Sequence, residues 1–206
     1  MTPNDDSAPY TSVPPERWAE VTAQLIGAHP LREEEIVDVV LTTWRDIFES
    51  RIGTRGYRIG VDTRPTPQIM GNYLHELIPL EFQHRYAGVW RRGEEKHEKD
   101  LVHIPDPAFS VEIKTSSHPT KIFGNRSYAQ PAPAGVSAAR KGKSGYYLAI
   151  NFAKFSAEQS LPDIVRVRFG WLDYTDWVPQ ASATGQQASL KPISEERKLK
   201  TLFVAR

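Results

Sequence analysis

Apolar residues recur at helical spacing in three stretches of the first half of the chain. Between 15 and 28, Trp18, Val21, Leu25 and Ile26 fall on one side, and His29-Pro30 ends the run. From 33 onward, Ile36, Val39, Val40, Trp44, Ile47 and Phe48 form one stripe that lasts until Gly53. Glu33, Glu34 and Glu35 precede that stripe and favour a helix start, because carboxylates suit the positive end of a helix. Thr66-Pro67 then reads as a cap followed by proline at the first helical position. Ile69, Met70, Tyr73, Leu74 and Leu77 continue the period until Pro79, which should kink or end the run. Beyond it the period changes. Residues 100–104 and 109–115 are short, rich in β-formers and separated by Pro105-Asp106-Pro107, the pattern of a hairpin. Residues 146–152 and 164–172 read as two more strands. In the second of these, Val165, Val167, Phe169 and Trp171 alternate with Arg166 and Arg168, predicting one buried face and one basic face.

Helices first, then strands with little helix between them, predict an α+β domain with a central mixed sheet flanked by helices. Its expected parts are a flexible proline-containing arm over 1–14, a helical part over 15–65, a core over 66–172 and a C-terminal segment, 173–206, that no pattern places. A length of 206 residues suits one such domain. With 39% hydrophobic and 25% charged residues the chain is neither a disordered polymer nor a membrane protein, and its polar start lacks a signal-peptide pattern, so the cytoplasm is the expected compartment. The absence of cysteine excludes disulfides, thiolate metal sites and cysteine nucleophiles, leaving carboxylate, histidine, hydroxyl and lysine chemistry. Charge is unevenly spread: residues 1–112 carry a net −7 and residues 113–206 a net +8. An acidic front that could hold cations and a basic rear that could hold phosphates suit an enzyme of nucleic acids, although glutamates on solvated helix faces would give the same front.

Chemistry concentrates in 109–117. On a strand there, Phe109, Val111 and Ile113 point to one face while Ser110, Glu112 and Lys114 point to the other, so a carboxylate and an ammonium share a face. Acid-x-Lys alone says little, since Glu94-x-Lys96 and Glu196-x-Lys198 repeat it; both lie in charged runs expected to be solvated. If 105–107 is a three-residue loop, Ile104 faces Ala108 and Asp100 faces Glu112, a spacing at which two carboxylates can grip one divalent cation. An exposed hairpin with a Glu112–Lys114 salt bridge would use the same residues. Downstream, Ser116, Ser117, His118, Lys121, Asn125, Arg126, Ser127, Tyr128 and Gln130 are donors of the kind that bind phosphates and base edges. A zinc site built on His97 and His103 lacks the required spacing.

Asp100, eleven intervening residues and Glu112-Ile113-Lys114 resemble the PD-(D/E)xK phosphodiesterases, with Lys99 where that pattern has proline. The run from Glu112 through His118 into 121–130 is similar to the ScaI-type restriction endonucleases. The resemblance implies a type II restriction endonuclease that hydrolyses double-stranded DNA as a homodimer. It implies Mg²⁺ held by Asp100, Glu112 and a helix carboxylate, Glu76 or alternatively Glu81, with Lys114 as the catalytic lysine. A structure-specific repair nuclease of the same fold, or a DNA-binding protein without catalysis, are the alternatives.

Overall fold

In the computed structural model, which describes residues 9–129, 142–157, 159, 161–182 and 185–205, each apolar stripe of the first half becomes a helix laid on a sheet. α1 (Trp18–Gly27), α2 (Glu33–Glu49) and α3 (Pro67–Arg85) cover one face of six strands. Their order is β1 (Trp90–Arg92), β2 (Leu101–His103), β3 (Val111–Ser116), β5 (Gly145–Phe152), β6 (Ile164–Leu172) and β9 (Leu199–Val204). The β3–β5 pair is parallel and the other neighbours are antiparallel, so the sheet is mixed, as expected. A second sheet, β4 (Phe123–Asn125), β8 (Gln187–Leu190) and β7 (Trp177–Pro179), roofs the opposite face. The short α4 (Pro192–Arg197) leads into the edge strand β9. Among the described residues no helix is long and apolar enough to cross a membrane.

Two-sided cover explains the composition of β5. Tyr146, Leu148, Ile150 and Phe152 join the helix-side core, whereas Tyr147 and Ala149 join the core beneath the small sheet. All eight residues of the strand are buried, so it reads as a continuous apolar run rather than an alternating one.

Four expectations are corrected. Pro79 does not end its helix: Ile78 and Phe82, both fully buried, hold the turns on either side, and α3 runs on to Arg85. The hairpin loop is longer than three residues, because 107–109 form a 3-10 turn with Ala108 N donating to the Asp106 carboxylate. Leu101 nevertheless faces Val111, the expected register, because His103 N donates to Ser110 Oγ and so replaces a missing ladder bond. The predicted basic face of β6 is not solvated. Arg168 is 3% exposed and donates to Glu195, to Thr120 O and to Asn151 Oδ1. Nor is the whole of 1–14 a loose arm, since Tyr10 is buried and hydrogen-bonds Thr22 at 2.8 Å.

The segment from 173 onward, which no pattern placed, is fastened by a buried ion pair. Lys198 Nζ lies 2.7 Å from Asp176 Oδ1, which also accepts from Ser194 Oγ. Lys198 also stands over the Tyr10 and Trp18 rings, at 4.2 and 4.3 Å from their centroids. Glu196-x-Lys198 is therefore not a solvated run, because its lysine points inward.

A further buried group makes the fold sensitive to pH. His29 packs among Trp90, Phe109, Tyr146 and Phe169. Its Nε2–H donates to Phe109 O at 2.9 Å and its Nδ1 accepts from Leu31 N, which fixes a neutral ring. Burial pushes its pKa down to about 4. The unfolded chain takes up a proton at this residue below about pH 6.5 and the folded chain only near 4. This contribution to stability is complete above pH 6.5 and is lost as the pH falls through that window, by about 3 kcal/mol. Urea unfolding between pH 7 and 4.5 should show the decline, and His29→Gln should flatten it.

Candidate active site

Asp100, Glu112 and Lys114 are brought together by the register of three strands. β3 lies between β2 and β5, and Asp100 immediately precedes β2, one step beyond the Leu101–Val111 pair. Asp100 Oδ2 accepts from Ile113 N at 2.7 Å, which ties the carboxylate to the backbone of β3 beside Glu112. Val111 and Ile113 point into the helix-side core, so Glu112 faces the other way, beneath the small sheet, where it is 2% exposed.

Two donors meet one oxygen of Glu112. Lys114 Nζ and the Tyr128 hydroxyl each lie 2.6 Å from Oε1, and Lys114 also donates to the Tyr128 oxygen at 3.1 Å. The Lys114 side chain is 12% exposed, far from the solvated salt bridge of a surface hairpin. Burial raises the Tyr128 pKa, and the fields of Glu112 and Asp100 add to it, so the phenol keeps its proton and both carboxylates are felt at that point. Tyr128 was expected at DNA but stands against Glu112, because its 3-10 turn (Arg126–Ala129) folds back over β3 with the ring 5.4 Å from that of Trp177.

Glu76 does not join the pair. It is 61% exposed and bridges to Arg92 at 3.2 Å, and among the described residues no three of His, Asp and Glu are grouped so as to hold a metal ion. Glu81 bonds Arg85 one turn along α3. His75 takes the inward place instead, its Nδ1 3.6 Å from Asp100 Oδ2. Successive helical residues differ by about 100°, so His75 facing the sheet turns Glu76 aside. Sequence reasoning missed His75, although Gly71, one turn earlier, marked its face. A Cβ at Gly71 would sit 2.6 Å from Thr115 Oγ1, so glycine there lets α3 lie directly on β3.

The remaining donors form a rim beside the site. Ser116 Oγ accepts from His118 N, and the exposed His118 ring accepts from the backbone amides of Thr120 and Lys121. Buried Asn151 donates to the carbonyls of His118 and Lys121, which pins the loop to β5. Ser117 is half-buried, and Lys121, Asn125 and Ser127 are exposed. Arg126 Nη1 reaches the carbonyls of Ser182 and Gly185, and Lys143 Nζ that of Ser127. Gln130 lies outside the described residues.

Asp100 and Glu112 fit a magnesium ion chemically, since Mg²⁺ prefers oxygen ligands and is commonly held by one or two carboxylates together with substrate phosphate. Glu76 is turned away from them and paired with Arg92 at the surface. Glu76→Ala should change unfolding free energy by no more than about 1 kcal/mol. Calorimetric titration with Mn²⁺ should give an unaltered affinity, whereas a tenfold fall would return Glu76 to the site.

The profile of the ScaI restriction endonuclease family matches residues 8–203. The chain is 48% identical over 200 residues to the type II restriction enzyme ScaI of Streptomyces caespitosus, an alignment that spans 97% of this chain and 86% of that enzyme. The match covers both sheets, all four helices and the Asp100–Glu112–Lys114 site, and the chain belongs to the ScaI restriction endonuclease family.

Proposed function

We propose that this chain is a type II restriction endonuclease, hydrolysing phosphodiester bonds of double-stranded DNA at a specific sequence in a reaction that needs Mg²⁺. The observation that carries this reading is the buried Glu112–Lys114 pair at 2.6 Å with Asp100 tied alongside it. Asp100 and Glu112 would hold the metal. A bound Mg²⁺ supplies Lewis acidity toward a phosphate oxygen and lowers the pKa of a water. Lys114 stands beside Glu112, where its ammonium can hydrogen-bond the attacking water and offset charge that grows on the phosphate in the transition state. Asp100 is oriented by the Ile113 amide, so it needs no rearrangement to act.

Recognition falls to the rim. Ser116, Ser117, His118 and Lys121 lie at the end of β3 and on the loop after it, and Asn125, Arg126 and Ser127 on β4 and its turn. Arg and Asn are the side chains that bind guanine and adenine bidentately, whereas Lys121 and Lys143 suit phosphates. A site with two-fold symmetry requires two such chains, so the working unit is a homodimer in this reading.

Incubation with sequenced phage DNA in Mg²⁺ should give discrete fragments that share one end sequence; a smear would overturn sequence specificity. Asp100→Asn and Glu112→Gln should each abolish cutting. Lys114→Ala should slow single-turnover cleavage by about 100-fold or more while DNA affinity, measured in Ca²⁺, changes far less. Equal losses in rate and affinity would make Lys114 a DNA contact rather than a catalytic residue.

A further inference from the structure

The hydroxyl of Tyr128 belongs to neither the DNA rim nor the apolar core. It closes a three-membered ring of hydrogen bonds: it donates to Glu112 Oε1 at 2.6 Å and accepts from Lys114 Nζ at 3.1 Å, while Lys114 donates to the same Oε1. The Lys114 ammonium also stands 4.6 Å from the centroid of the Tyr128 ring. Glutamate and lysine are long side chains with many rotamers. Without a third member they would share one ion pair in several geometries, each placing the carboxylate differently.

Tyr128 is itself held. Its ring packs against Trp177 of β7, and a Cβ at Gly124 would lie 3.3 Å from two of its ring carbons, so glycine lets the ring lie against the β4 backbone. Its turn is fixed to the small sheet by Arg126 N donating to Gln186 O at 2.7 Å. The residue thus carries the position of the small sheet into the carboxylate. It stands two places after Arg126 and three after Asn125, the residues that the nuclease reading assigns to base contact.

We propose that Tyr128 is a positioning residue: through its hydroxyl it sets the orientation of Glu112 and Lys114 for metal binding, and it makes no contact with DNA. The proposal rests on the nuclease reading above, since it gives that reading's metal carboxylate its orientation. Residues that orient metal ligands from behind change metal affinity by about 10- to 100-fold when removed. The expected effect is therefore on the cation rather than on the DNA.

Tyr128→Phe removes one oxygen and keeps every ring contact. Three quantities should be measured beside wild type: Mn²⁺ affinity of the DNA-free protein by calorimetry, the Mg²⁺ midpoint for single-turnover cleavage, and DNA affinity in saturating Ca²⁺. Mn²⁺ affinity should fall about tenfold or more, the Mg²⁺ midpoint should rise by a similar factor, and DNA affinity should stay within about twofold. Gly124→Ala, whose methyl would press on the Trp177 ring at 3.1 Å and on the Tyr128 ring at 3.3 Å without reaching the carboxylate, should move both cation readouts the same way by less. Unchanged cation readouts in the phenylalanine variant would overturn the proposal by leaving Tyr128 a packing residue. A loss of DNA affinity equal to the loss of rate would overturn it by making Tyr128 a DNA contact. A wild-type protein that neither bound Mn²⁺ nor cut DNA would instead overturn the nuclease reading, and the wild-type arm alone reveals that.

Discussion

A carboxylate buried in the middle of a sheet is the constraint around which this molecule is arranged. Glu112 is 2% exposed, and an uncompensated charge at that depth would cost several kcal/mol. The compensation comes from the next residue on its own strand face, Lys114, and from a tyrosine on the turn that follows β4. Neither partner suffices without the fold. Lys114 shares a face with Glu112 only because β3 is regular, and Tyr128 reaches it only because β4 and its turn roof that face. The opposite side of β3 is committed to the helices through Val111 and Ile113, so the strand cannot slip by one residue without exchanging a core for a charge.

The roof adds polar fastenings to its apolar core. Asn151 and Arg168, both buried, hold the loop after β3 by its carbonyls, and Arg168 reaches across to Glu195 of α4. Asp176 and Lys198 do the same for the segment from 173 onward, with Ser194 and the Asp173 amide completing the carboxylate. Networks of this kind tolerate few alternative arrangements, because each partner lost leaves another group buried without water. These polar contacts join an apolar core of their own beneath the small sheet, Ile122, Tyr147, Leu172, Trp177 and Leu190 among it.

How far these features were legible in the sequence follows from how local their causes are. Helices α1 and α2, strands β5 and β6 and the register that sets Asp100 against Glu112 all follow from periodicity within a dozen residues. Tertiary contact decided the rest. Pro79 obeys local rules until Ile78 and Phe82 are buried on both sides of it, and Arg168 and Lys198 look solvated until Glu195 and Asp176 meet them from elsewhere in the chain. The helix residue nearest Asp100 is one place from the expected carboxylate: a helix turns about 100° per position, so His75 rather than Glu76 faces Asp100. Tyr128 read as one more donor in a polar run, because nothing near it in sequence tells that the turn doubles back onto β3.

The hydrogen bond from Thr22 to the carbonyl of Arg197 joins residues 175 positions apart, and Tyr10 and Trp18 close over Lys198 beside it. On a ribosome, α1 cannot finish docking until nearly the whole chain has emerged, and β7 and β8, which complete the sheet over Glu112, are likewise synthesised some sixty residues or more after β3. A chain lacking its last thirty residues would lack β8, β9 and the Asp176–Lys198 pair, and with them the partners that hold β4 and its turn over Glu112.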